Sequence, residues 1–212
     1  MELMTANRPS PLHKGGFPSR AGRAFTLWFT GLPASGKSTL AQAVSTMLKT
    51  SCAMSCEVLD GDAIRATLSR DLGFSRGDRI ANTLRIGMQA SLLVKQGIPA
   101  LIASIAPYRD ARLHAKQLVE AVGGPGSFIE IFVDCPIDIC SARDAKGLYA
   151  KARAGLLTGL SGVDDPYEAP EQPDLHLRTD RLSISEAVRQ VLECLAVRTG
   201  FGRLLPPSIT AE

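Results

Sequence analysis

Gly31-Leu32-Pro33-Ala34-Ser35-Gly36-Lys37-Ser38 sets two glycines apart by four residues and follows them with a lysine and a hydroxyl. The spacing suits a backbone that must wrap an anion. Successive N–H groups turn inward on a phosphate, and glycine admits the close approach that a side chain would block. Lys37 reaches the β and γ phosphates and follows charge as it moves, Ser38 offers a hydroxyl to Mg²⁺, and Thr39 stands near the α phosphate. The motif specifies binding of a nucleoside triphosphate such as ATP and leaves the phosphate acceptor open. A second group, Leu59-Asp60-Gly61-Asp62-Ala63-Ile64-Arg65, holds two carboxylates around a glycine and then a cation. Alone, Asp60 reads as a helix N-cap and Arg65 as a surface residue. Beside a triphosphate site the same residues offer a Mg²⁺ shell, an acceptor for the proton of an attacking hydroxyl, and a partner for an anionic acceptor.

These groups need elements to hold them. The run Phe25–Thr30 predicts a strand that meets glycine at once, and Lys37–Lys49 has helical spacing. The alternation recurs, with a strand near Cys56–Asp60, helical stretches within 62–70 and 79–96, a strand at Pro99–Ile105 and a helix over Asp110–Val122. A strand over Phe128–Val133, another near Leu175 and a helix over about Ser183–Val197 complete it. The expected class is α/β, a P-loop NTPase-type three-layer fold with a mostly parallel central sheet. Strand C-termini in such a sheet line the ligand crevice, which is where both chemical groups fall. Residues 1–24, with Pro9, Pro11, Pro18 and several glycines, read as a flexible leader. Residues 25–200 read as the kinase domain, 144–173 as a lid without a clean period, and 201–212 as a tail.

Twenty-four Lys and Arg against 21 Asp and Glu leave a net charge of +3, too slight an excess to predict nucleic-acid binding. Five cysteines without a Cys-x-x-Cys pair or a histidine cluster argue against zinc and for reduced thiols, hence a cytoplasmic setting. The sequence shows neither a signal peptide nor a membrane span, so a soluble protein is expected. His13, His114 and His176 stand alone and receive no catalytic role; Trp28 reads as core.

Residues 60–65, Asp71-Leu72-Gly73-Phe74-Ser75, Asp78-Arg79-Ile80-Ala81-Asn82, Ile105-Ala106-Pro107-Tyr108-Arg109, Asp144–Gly155 and Gly162–Pro170 resemble, in order, blocks of the adenylylsulfate (APS) kinases. The resemblance spans roughly residues 25–197. It implies transfer of the ATP γ-phosphoryl group, with Mg²⁺ present, to the 3′-hydroxyl of APS, giving 3′-phosphoadenylylsulfate (PAPS) and ADP. Carried onto this chain, Arg65, Arg79 and Asn82 hold the phosphosulfate and ribose, and Phe74 stacks on the adenine. Ile105, Ala106, Gly159 and Leu160 line the acceptor site and Lys146 faces it from the lid. Lys37, Asp60 and Asp62 are the catalytic candidates; Ser38 holds Mg²⁺ directly and Asp60 through water, and the division of roles between the two acids stays open. A homodimer, with an ATP sulfurylase as a candidate partner, is implied by the resemblance alone.

Two positions depart from the family pattern. Ala106 stands where a serine assigned as a phosphorylated intermediate is usual, so a covalent route through that side chain is excluded and direct in-line transfer is expected. Leu160 replaces a second aromatic opposite Phe74, a loss of roughly 1 kcal/mol of stacking. Ala81 and the Pro33-Ala34 pair are lesser departures. The alternatives are a P-loop kinase for another hydroxyl acceptor, which needs none of the 60–82 series, and a non-catalytic APS or PAPS sensor, which would bind ligand without producing ADP.

Overall fold

The computed structural model describes residues 24–200; the expected leader up to residue 23 and the tail 201–212 lie outside the described residues. Five strands, β1 (Thr26–Thr30), β2 (Glu57–Asp60), β3 (Ala100–Ala103), β4 (Phe128–Asp134) and β5 (Leu175–Arg178), form one sheet in the order β2-β3-β1-β4-β5. All four pairings are parallel, with Thr26 opposite both Ala100 and Phe128.

Alternation along β1 divides the core. Leu27 and Phe29 face α1 (Lys37–Cys52) and α7 (Ile184–Thr199), where Leu40, Val44, Leu48, Val188, Val191 and Leu192 pack against them. Trp28 points to the opposite face, among Ile102, Phe128 and the residues Ile86, Ala90, Ala115 and Val119 of α3 (Arg76–Lys95) and α4 (Arg109–Gly123). Both faces are therefore dry, which is why β1 carries three consecutive apolar residues, Leu27 to Phe29, rather than alternating. Gly87 lets α3 and α4 close up, since a Cβ there would meet the Ala115 Cβ at 2.8 Å.

The expected elements are present with shifted ends. The helix anticipated from residue 79 starts at Arg76, because Ser75 and Asp78 form a reciprocal capping box one turn earlier. The stretch anticipated over 62–70 yields only α2 (Gly61–Ala66). Two short helices had no periodic signal: α5 (Ile137–Arg143) and α6 (Leu148–Arg153), the latter inside the presumed irregular segment 144–173. Helices of six or seven residues are unstable alone. Here the Asp144 carboxylate receives the N–H groups of Tyr149 and Ala150 at the start of α6, which supplies what local propensity lacks. All five cysteines are free thiols, Trp28 is fully buried, and no described helix is long and apolar enough to cross a membrane.

Candidate active site

The sheet order puts β1 between β3 and β4, so the chain leaves the two sides of β1 in opposite directions and a crevice opens at its carboxyl end. A cleft of about 740 Å³ occupies that place. Pro33 to Thr39, Asp60, Asp62, Arg65, Phe74, Arg79, Asn82, Ile105, Ala106, Lys146, Gly159 and Leu160 all line it. Of the residues nominated from sequence, Gly31 and Leu32 are not part of the lining. A Cβ on Gly31 would meet the Val133 carbonyl oxygen at 2.3 Å, so only glycine fits there.

The Lys37 side chain is 8% exposed and donates to the Leu32 carbonyl at 2.7 Å. Burial lowers its pKa to about 8, opposed by the negative groups around it, Asp62 and Asp60 among them. Ser38 Oγ donates to Asp60 Oδ2 at 2.6 Å, while Asp60 Oδ1 receives the Asp62 N–H at 2.9 Å. Asp60 is therefore both the N-cap of α2 and the hydrogen-bond partner of the Ser38 hydroxyl. Burial works against its ionisation, but the Ser38 and Asp62 hydrogen bonds and the Lys146 charge prevail and hold the carboxyl below its ordinary range.

Lys146 reaches over from the turn before α6 to pair with Asp62. That hydrogen bond raises the lysine's pKa against partial burial, so its charge is secure. Lys146 thus meets a catalytic candidate directly.

Phe74 is 62% exposed and presents its ring to the guanidinium groups of Arg65 at 4.7 Å and Arg79 at 5.6 Å. Arg65 is anchored by a 2.7 Å bond to the Gly73 carbonyl. Arg79 is the more constrained: its Nε donates to the Phe74 carbonyl at 2.8 Å and lies 3.1 Å from Asp165, while its other nitrogens reach Ser161 and the Gly159 carbonyl. A side chain nominated as a substrate contact also straps α3 to the 159–165 loop. Asn82 is 6% exposed and lines the cleft, and its buried Oδ1 has no protein partner among the described residues. Leu160 is nearly buried against Cys135, Cys140 and Tyr149, so only its edge reaches the cleft.

Three contributors escaped the sequence reading because each acts on a distant backbone carbonyl. Thr30 Oγ1 donates to the Ile105 carbonyl at 2.6 Å. Arg112, 3% exposed and paired with Glu130 at 2.7 Å, donates to the carbonyls of Ala106 at 2.7 Å and Glu168 at 2.8 Å. It steadies Ala106, which has a left-handed φ of 43°. Thr179 Oγ1 donates to the Ser35 carbonyl at 2.8 Å. No pattern of residue types marks such bonds.

The arrangement brings an anion cradle with a buried ammonium within one cleft of two carboxylates and a set of arginines, as phosphoryl transfer to an anionic acceptor requires. Residues 23–178 match the family model described as adenylylsulphate kinase. An adenylyl-sulfate kinase of Synechococcus sp. (strain JA-3-3Ab) is 46% identical over 173 residues, covering 82% of this chain and 94% of that protein. Among solved structures, the Mycobacterium tuberculosis APS kinase CysC in complex with AMPPNP and APS is 44% identical with a TM-score of 0.77, covering 82% of this chain and 98% of that one. A hexameric APS kinase from Thiobacillus denitrificans is 38% identical with a TM-score of 0.63, over 83% of this chain and 29% of that one. With a family model matched across most of its length and a relative this similar over most of both chains, the chain belongs to the adenylylsulphate kinase family.

Proposed function

We propose that the chain transfers the γ-phosphoryl group of ATP to the 3′-hydroxyl of APS by direct in-line displacement, releasing PAPS and ADP. The observation that carries this reading is the pair of contacts linking donor and acceptor sides: Ser38 with Asp60 on the P-loop side, and Asp62 with Lys146 two residues on. Asp62 takes the proton of the 3′-hydroxyl as the new O–P bond forms and the bond to the β-phosphate oxygen breaks. Lys37 stabilises the charge that passes to that leaving oxygen. Arg65, Arg79 and Asn82 orient the phosphosulfate and ribose, and Phe74 carries the adenine. Ala106 has no hydroxyl to phosphorylate, which leaves the direct route.

Ser38 Oγ and Asp60 Oδ2, 2.6 Å apart, are hard oxygen donors of the kind Mg²⁺ takes, so these residues fit the ion. When bound, Mg²⁺ neutralises charge on the β and γ phosphates.

In the same reading residues 25–200 are one kinase domain with residues 144–173 as its lid, working in the cytoplasm as a homodimer. An ATP sulfurylase is its candidate partner. A monomeric or hexameric mass in solution would remove the dimer.

The test is ADP release by purified protein with Mg²⁺ and ATP, with and without micromolar APS, and PAPS sought by mass. APS-dependent ADP with matching PAPS is expected. Binding of APS without turnover would favour a sensor, and absence of APS binding would point to another acceptor.

A further inference from the structure

Tyr149, in α6, is 3% exposed, and its hydroxyl donates to the Pro33 carbonyl at 3.0 Å from 116 positions away. The peptide that receives it is in an unfavourable orientation. Leu32–Ser35 is a turn closed by the Ser35 N–H on the Leu32 carbonyl at 3.2 Å, and its third residue, Ala34, has a φ of 58°. Proline at the second position is confined to negative φ, and a closed turn with negative then positive φ is type II. That turn favours glycine at its third position; alanine's Cβ makes the left-handed conformation costly. Rotating the Pro33–Ala34 peptide by half a turn would give a type I turn, in which Ala34 is relaxed.

The peptide is nevertheless held. In a planar trans peptide the C=O and N–H point opposite ways, so a Pro33 carbonyl fixed on Tyr149 turns the Ala34 N–H to the other side, toward the cleft that Ala34 lines. Burial pushes the Tyr149 phenol well above its ordinary range, which keeps it a donor. The tyrosine is itself seated by Asp144, which receives its backbone N–H, and the turn between them carries Lys146 to Asp62. Gly162 lies close to the same loop, with no room for a Cβ, which would fall 2.4 Å from the Leu32 side chain.

We propose that Tyr149 is a positioning residue that holds the Ala34 N–H toward the nucleotide phosphates, making the phosphate-binding form of the P-loop depend on α6 being seated. The proposal rests on the kinase reading above for its meaning in catalysis, but it concerns nucleotide binding and is tested without the acceptor.

Calorimetric affinity for Mg·ADP is compared in the wild type and Tyr149→Phe, a change that removes one hydroxyl and keeps the ring. A loss of about fivefold is expected, the equivalent of one ordinary hydrogen bond, with APS affinity measured without nucleotide unchanged. The comparison is then repeated in an Ala34→Gly background, where positive φ carries no Cβ penalty; there the loss from Tyr149→Phe should fall below about twofold. The ¹⁵N–¹H shift of the Ala34 amide in the ADP complex, expected to move in Tyr149→Phe, is a second readout that a packing role would leave in place. Equal losses in both backgrounds, an unchanged ADP affinity or an unmoved amide would overturn the proposal. Absence of PAPS from the wild type would sink the kinase reading and leave this test intact.

Discussion

Lys146 and Asp62, 84 positions apart in the chain, form an ion pair inside the cleft with their side chains 62% and 72% exposed. A pair so wet contributes less than about 1 kcal/mol to stability. Its place beside Ser38 and Asp60 points to substrate handling instead. Lys146→Met should leave the melting temperature nearly unchanged and raise KM for APS about tenfold, one charged contact's worth of binding. Steady-state kinetics and a thermal melt on the same sample decide it, and a large fall in melting temperature with unchanged KM would contradict the assignment.

Lys37 carries the sharpest pH dependence. Its ammonium is lost as pH rises through about 8 in the free protein, so kcat/KM for ATP should fall above that pH. Bound phosphates favour the charged form, and kcat at saturating ATP should therefore hold to higher pH. Stability runs the other way. Between about 8 and the ordinary lysine value of 10.5 the unfolded chain keeps a proton that the folded chain has released, so this residue's contribution to stability rises with pH across that window. Lys37→Ala should abolish transfer and remove both trends, as pH–rate profiles and pH-dependent melts would show.

Leu160 lies against Cys135, Cys140 and Tyr149 with 6% exposure. Leu160→Phe should tighten APS about fivefold through an added ring opposite Phe74, at the cost of a lower melting temperature because the larger side chain must be fitted into a packed cluster. Titration of APS measures the first effect. Unchanged affinity would sink the stacking argument.

Ala53 closes α1 in a left-handed conformation, φ 51°, with its N–H on the Leu48 carbonyl. Glycine removes the Cβ penalty there, and Ala53→Gly should stabilise the protein by up to about 1 kcal/mol. That corresponds to roughly 2–4 °C in melting temperature for a chain of this size. The site is far from the cleft, so kcat should not change.

What the sequence determined by itself was local. Gly31 to Thr39 announces a phosphate cradle because glycine spacing, a lysine and a hydroxyl act within one turn of chain. The apolar runs of β1, β3 and β4 announce a sheet covered on both faces, and the blocks around Asp60, Phe74, Arg79 and Lys146 identify the family. Even so, α5 and α6 were invisible, since helices of seven and six residues owe their stability to partners outside themselves. Only the tertiary structure decided that Lys146 pairs with Asp62, that Arg79 straps α3 to the 159–165 loop, that Arg112 reads the Ala106 carbonyl, and that Tyr149 restrains the Pro33–Ala34 peptide. Those bonds join side chains to backbone atoms or to charges brought near by the order of strands in the sheet, and a backbone carbonyl has no letter of its own in the sequence.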